Sequence, residues 1–315
     1  MDFILFIVFL YVFGFYANAL RSLVCPRKDI YFKGDFLEMR VTKGLIEKVN
    51  GELKDKGYFV EKTKVNKNNE VKTGLVIKKI DEERMVCPTI YIGEMTCFDE
   101  VMRYALEVIS REVPSIDMEH ILDKDYILGH VKAQMVSAGN VILEPGVVYR
   151  DYLDMAIVYR VEVGEIDGGQ GSFLIKDGVL EKVGLTEEDL FNVVSHDMDF
   201  DTKTLAETLA NMMGQEVPFD LGLPEIYVVT SENMIHGAGV LCSEFLGELR
   251  EKLEGDFFIL PSSVHEILVL KDEFGPSAIE LLELVKTVNA TEVAPCDKLT
   301  DSVYKYDATG LSKVA

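Results

Sequence analysis

The sequence predicts an α+β protein with mixed, mainly antiparallel sheets and packed helices. Three observations lead there. Hydrophobic residues make up 48% of the 315 residues, enough for a sizeable core. Runs of strand character and runs at helical spacing mix without regular β-α-β alternation, which argues against a doubly wound sheet. Turn signals punctuate the strand-like runs, at Asn66-Lys67-Asn68-Asn69 and at Asp177-Gly178. The chain shows no internal repeat and no low-complexity tract.

The elements follow in order. Leu37 to Lys56 carries Val41, Leu45, Val49 and Leu53 at helical spacing, and Gly57 supplies a left-handed cap. Tyr58–Val65 and Val71–Ile80 read as strands around the asparagine turn. Cys87–Ile92 is a short strand whose Pro88 marks an edge or a start. Phe98–Ile109 is a helix, and Asp117–Ser137 reads as helical with a break at Gly129. Composition shifts at Glu144-Pro145-Gly146, a candidate boundary between subdomains 39–145 and 146–315. Beyond it, Tyr152–Val163 and Ser172–Lys176 are strands. Thr186-Glu187-Glu188-Asp189 opens a helix with a capping-box pattern and acids in its first turn. Lys203–Met213 is helical, Glu225–Thr230 a strand, and Leu241–Leu253 mainly helical. After the stretch Phe258–Leu270 come a helix over Ser277–Asn289 and a short strand over Ser302–Tyr306.

The first 38 residues hold an apolar leader, Phe3–Leu20. About 18 apolar residues just span a bilayer, and Arg21, Arg27 and Lys28 behind them would leave the body in the cytoplasm. A secretory signal is a second reading, because Ala17-Asn18-Ala19 has the form of a cleavage site; no basic residue precedes the run, however. A mis-called start is the third. The codons for Lys33-Gly34-Asp35 can carry a ribosome-binding sequence, and Met39 follows at a suitable distance. The third reading is preferred, with a membrane anchor as its alternative.

A formal charge of −22 repels duplex DNA and anionic membranes. Cys25, Cys87, Cys97, Cys242 and Cys296 are odd in number, widely spaced and free of any C-x-x-C. They fit reduced cytosolic thiols, with a disulfide framework second.

Four constellations carry possible chemistry. Ser263 and His265 lie two apart beside Glu266, and a serine–histidine nucleophile pair is conceivable. The sharp G-x-S-x-G elbow is absent, and Ser263-Val264-His265-Glu266 fits a capping pattern in which Ser Oγ accepts an amide proton. His265-Glu266 also opens like a zincin motif, but Val269 stands where the second histidine belongs. His196, Asp197, Asp199 and Asp201 have the alternating acids of a calcium loop without its glycine and twelfth-position glutamate; a solvated loop is the preferred reading. His236-Gly237-Ala238-Gly239 lacks the spacing of a phosphate or dinucleotide loop. Lys48–Lys79 holds nine lysines and four acids, a basic island that could touch nucleic acid or an acidic partner; lysines protecting exposed strand faces and edges are the preferred reading. His120 and His130 stand isolated.

A set of collinear pieces runs through the chain: Lys67-Asn-Asn69, Lys72-Thr-Gly-Leu75, Pro88-Thr-Ile-Tyr91, Tyr152–Tyr159 and Leu185–Leu190. Ile226–Thr230, Gly237-Ala238, Leu260-Pro-Ser-Ser-Val-His-Glu266, Val288-Asn289 and Leu299–Tyr304 continue it. In these pieces the chain resembles a bacterial domain-of-unknown-function family, number 5688. The resemblance spans roughly 37 to 306. It implies a cytosolic α+β protein beginning near Met39, and it transfers no catalytic residue.

The expectation is therefore a non-enzymatic cytoplasmic protein that binds a protein partner, with no cofactor and no resident metal. Nucleic acid is disfavoured, and a membrane enters only if Phe3–Leu20 is a genuine anchor. The alternative is a hydrolase or nuclease using Ser263/His265 or the Asp197–Asp201 cluster.

Overall fold

A computed structural model describes residues 43–82, 87–91, 95, 97–111, 117–166, 169–213, 225–231, 236–261, 263–273 and 275–315. The apolar leader and Met39 lie outside the described residues. Among those described, no helix is long and apolar enough to cross a membrane. The fold is α+β, with three sheets that are antiparallel at every pairing. The chain divides into two compact units between Met118 and Glu119. Glu144-Pro145-Gly146 falls inside the second unit, in a turn region between two of its strands.

In the smaller unit, helix α1 (Lys43–Lys54) leads into strands β1 (Tyr58–Lys67), β2 (Glu70–Lys79) and β3 (Thr89–Tyr91), followed by helix α2 (Phe98–Ser110). Val49 and Leu53 of α1, Val60, Leu75, Ile77 and Ile90 of the strands, and Val101 and Ala105 of α2 form its core. Burying each large aliphatic side chain contributes about 1.5–3 kcal/mol. Asn50 fastens α1 to β1: its amide donates to the Val60 carbonyl at 3.1 Å and its oxygen accepts the Val60 N–H at 2.7 Å. Gly57 closes the turn after α1 at φ +80, a conformation that glycine adopts without strain.

The larger unit opens with two short helices, α3 (Met118–Ile121) and α4 (Lys124–His130). Strand β4 (Val131–Ser137) then begins directly, where the sequence pattern predicts a continued helix. Its burial is nearly continuous, so no alternation marks it as a strand. Strands β5 (Tyr149–Tyr152), β6 (Met155–Ile166) and β7 (Gly169–Leu174) follow. β4 lines one edge of β6, while β5 and β7 share the other. Helix α5 (Asp177–Val183) forms where Asp177-Gly178 signals a tight turn, because Gly184 at φ +67 provides a proper end for it. Helix α6 (Glu187–Ser195) has the expected capping box between Thr186 and Asp189.

Strand β8 (Phe200–Thr204) precedes helix α7 (Leu205–Met213). Strand β9 (Ile226–Ser231), a 3-10 helix (Gly237–Cys242), helix α8 (Phe245–Lys252), and strands β10 (Phe257–Leu260) and β11 (Glu266–Lys271) come next. Helix α9 (Ala278–Thr291) and strands β12 (Tyr304–Asp307) and β13 (Gly310–Lys313) complete the unit. The second sheet runs β13-β12-β10-β11-β9-β8. Its central strands are buried on both faces. Phe257, Ile259, Ile267 and Val269 join one core with β4 and β6, and Phe258, Leu260, Leu268 and Leu270 pack into another with α9. Two buried faces explain why Phe258–Leu260 and Ile267–Leu270 read as unbroken apolar runs.

Candidate functional site

The connection from β10 to β11 builds a buried polar corner. Ser263 bridges Lys298 backbone to backbone, and the Val264 N–H donates to the Asp297 carbonyl at 2.9 Å. Ser263 is only 4% exposed. Its hydroxyl oxygen accepts the N–H of His265 at 3.0 Å, and its hydroxyl bonds the carboxyl of Glu266. The capping box that the sequence suggests does not form: the amide bonded is that of His265, two residues on, Glu266 bonds the hydroxyl, and a strand follows. The hydroxyl faces an amide and a carboxyl rather than the His265 imidazole. That ring sits with Nε2 3.4 Å from Asp297 Oδ1, both side chains being 19% exposed.

Glu266 is 4% exposed, and its Oε2 is buried with no hydrogen-bond partner among the described residues. Burial pushes its carboxyl up to about 7, while His265 and the Ser263 hydroxyl pull the other way. The His265 carbonyl accepts from Thr230 Oγ1 at 2.9 Å. Gly237 presses against the same carbonyl, leaving no room for a side chain. That contact seats the 3-10 helix, and Gly239 likewise abuts the Ala133 carbonyl of β4. Just before them, burial holds the His236 imidazole down to about 3, and the charges of Arg160 and His265 add to the effect. Its Nδ1 is buried without a partner among the described residues.

On the other side of His236 a cavity of about 210 Å³ opens, lined by Lys132, Glu162, Asp197, Asp199, Ser231 and His236 among others. Lys132 reaches Asp197 at 2.9 Å and Asp199 at 3.0 Å. Burial acts to lower its pKa, but the two aspartates outweigh that and raise it. Asp197 thus has a structural task as well, since its carbonyl accepts from the Ser243 hydroxyl.

The remaining sequence candidates disperse. Asp201 pairs with Lys203. His196 is exposed, with Nδ1 2.7 Å from the Asn192 carbonyl and Nε2 3.3 Å from Glu244. A carbonyl only accepts, so Nδ1 carries a proton and cannot take one from the Ser195 hydroxyl at 3.2 Å. Among the described residues no three His, Cys, Asp or Glu side chains converge as a metal-binding group. Cys87, Cys97, Cys242 and Cys296 form no disulfide among the described residues. His130 stacks on Tyr126.

Sequence reasoning missed Arg160 and His236 as site residues. A signal for the first exists: Arg160 interrupts the apolar run Met155-Ala-Ile-Val-Tyr-Arg-Val161. His236 stands out in the sequence only as the head of the run Gly237-Ala238-Gly239, and its burial arises from the assembled fold.

Fold and site together define an α+β protein with a buried polar corner beside a small, charged cavity. The chain belongs to a family of unknown function, DUF5688, whose model matches residues 39–308. No curated protein and no solved structure matches it.

Proposed function

We propose that this chain is a non-enzymatic binding protein whose basic β1–β2 ribbon engages an acidic segment of a protein partner. The carrying observation is the far end of that ribbon. Lys64 and Lys67 are exposed there, with no carboxylate partner among the described residues. Lys67 lies 5.6 Å from the Tyr91 ring centre, and Val71, which pairs with Asn66, is half exposed. Lys67 beside an aromatic ring on one face, and Lys64 beside an exposed apolar residue on the opposite face, suit an acidic segment with its own apolar side chain that wraps the ribbon. A polynucleotide would meet the field of a chain whose net charge is −22. The arrangement at Ser263 supports the non-enzymatic half of the reading, because its hydroxyl bonds Glu266 and its oxygen takes the His265 amide. A cytoplasmic location is part of the same proposal.

The test is lysine-directed crosslinking of the full chain in cells of its native host, read by mass spectrometry. Crosslinks from Lys64 or Lys67 to an acidic segment of one protein, lost in Lys64→Glu/Lys67→Glu, are expected. Recovery of that protein unchanged by the charge reversal would overturn the proposal.

A further inference from the structure

Glu266 stands at a joint of the larger unit. It opens β11 opposite Thr230 of β9. The 3-10 helix rests on the carbonyl of His265 just before it, and the turn at 294–298 holds the backbone of Ser263 and Val264. The residue is 4% exposed, the Ser263 hydroxyl bonds its carboxyl, and Oε2 is buried with no partner among the described residues. A neutral carboxyl fits such a place. A carboxylate there holds its charge with one oxygen cut off from water and from every described donor. Burial accordingly pushes the group up to about 7.

What yields on ionisation follows from how each neighbour is held. β11 is a central strand, paired with β9 and β10, and Ile267 to Leu270 behind Glu266 are buried in two cores. The corner in front of Glu266 hangs on few bonds. The Val264 N–H donates to the Asp297 carbonyl at 2.9 Å, the Ala238 N–H to the Val264 carbonyl at 3.3 Å, and Thr230 Oγ1 to the His265 carbonyl at 2.9 Å. Its outer side meets solvent through the partly exposed side chains of His265 and Asp297. A short segment on few bonds opens at lower free energy than a central strand.

We propose that the corner Ser263–Glu266 is a proton-held latch: it is shut while Glu266 keeps its proton, and ionisation swings Val264 and His265 off the turn at 294–298 so that water reaches the carboxylate. The charged neighbours set its balance. A protonated His265 favours the ionised form, and Asp297 on the turn favours the proton. Cys296 lies against Asp297, and Lys298 pairs with Asp301. Thr230, facing from β9, is uncharged. Burial, with the charge of Arg160 on β6 adding to it, keeps the His236 imidazole neutral down to about 3. The shut latch therefore gains no charge from His236 where Glu266 titrates. The proposal does not rest on the lysine ribbon.

Hydrogen exchange of the Val264 amide in the full chain tests it, followed from pH 5 to 8 and corrected for the intrinsic rate. The Ile259 amide of β10 is the reference. Glu266 ionises near the ordinary 4.5 in the open corner and near 7 in the shut one. Opening therefore rises with pH between those values and levels off above them. Protection at Val264 is expected to fall about 40-fold from pH 5 to pH 7, with Ile259 the better protected of the two throughout. Glu266→Gln is expected to make the protection at Val264 independent of pH. Should that variant fail to fold, Ser263→Ala carries the test. It removes a bond that favours the carboxylate, so the levelling-off is expected to move above pH 7. Protection at Val264 that is flat with pH in the wild type, the same fall in Glu266→Gln, or exchange at Val264 no faster than at Ile259 would overturn the proposal.

Discussion

A side chain on Gly237 would place its first carbon 2.0 Å from the carbonyl oxygen of His265. The backbone of Thr230 stands 2.8 Å from the same point. The 3-10 helix thus docks through bare backbone on β9 and on the residue before β11, and His236 beside it lines the cavity. Gly237→Ala is expected to destabilise the protein by about 3 kcal/mol, because rigid backbone on both sides must shift. Urea unfolding checks this, and a change under about 1 kcal/mol would show that the contact is slack.

Asp154, in the turn between β5 and β6, accepts hydrogen bonds from Ser302 at 2.7 Å and Lys313 at 2.9 Å, and from the Tyr304 hydroxyl. Burial acts to raise its carboxyl, but these donors outweigh it and hold the pKa below the usual aspartate value. A depressed folded pKa contributes stability above the unfolded pKa, and that stability is lost as pH falls through the folded value. Asp154→Ala is expected to cost about 2–3 kcal/mol at neutral pH and much less in acid. Unfolding measured across the acid range reads the difference.

Glu266 has the opposite sign. Its folded carboxyl holds a proton up to about 7, above the ordinary 4.5. Between those values the unfolded chain releases the proton first, so stability falls as pH rises through that window. The full effect is about 3 kcal/mol. His236, with its imidazole held down to about 3, slopes the other way between pH 3 and 6.5 and partly masks the trend. The comparison is therefore between wild type and Glu266→Gln: the variant is expected to gain relative stability as pH rises from 4.5 to 7. A pH-independent difference would contradict the buried-acid assignment.

Helix α6 rests on a reciprocal cap: the Thr186 hydroxyl oxygen accepts the Asp189 N–H at 3.2 Å, and the Asp189 carboxylate accepts the Thr186 N–H at 2.8 Å. Thr186→Ala is expected to cost about 1 kcal/mol. Hydrogen exchange in the first turn of α6 should quicken before that of β6.

The Thr186 cap was legible because its chemistry is local, as was the asparagine turn between β1 and β2. The Ser263 corner was half legible. That Ser263 Oγ accepts a nearby amide was visible in Ser263-Val-His-Glu266, whereas the strand that follows and the burial of the corner were not. β4 escaped because Ala133, Gln134, Met135 and Val136 are all buried, leaving no period to separate strand from helix. Asp177-Gly178 misled because the same pair that suits a hairpin also tolerates a helix start. Arg160 is the clearest limit: its identity is in the sequence, but its hydrogen bonds to Gln134 and Ser172 on the neighbouring strands are a property of the assembled sheet.

The most direct measurement is hydrolysis of 4-nitrophenyl esters and of bis(4-nitrophenyl) phosphate by the full chain, beside Ser263→Ala and Asp197→Asn/Asp199→Asn. A binding protein gives the same background rate in all three. Turnover by the wild type that disappears in either variant would contradict the account and restore catalysis at Ser263 or at the aspartate cluster.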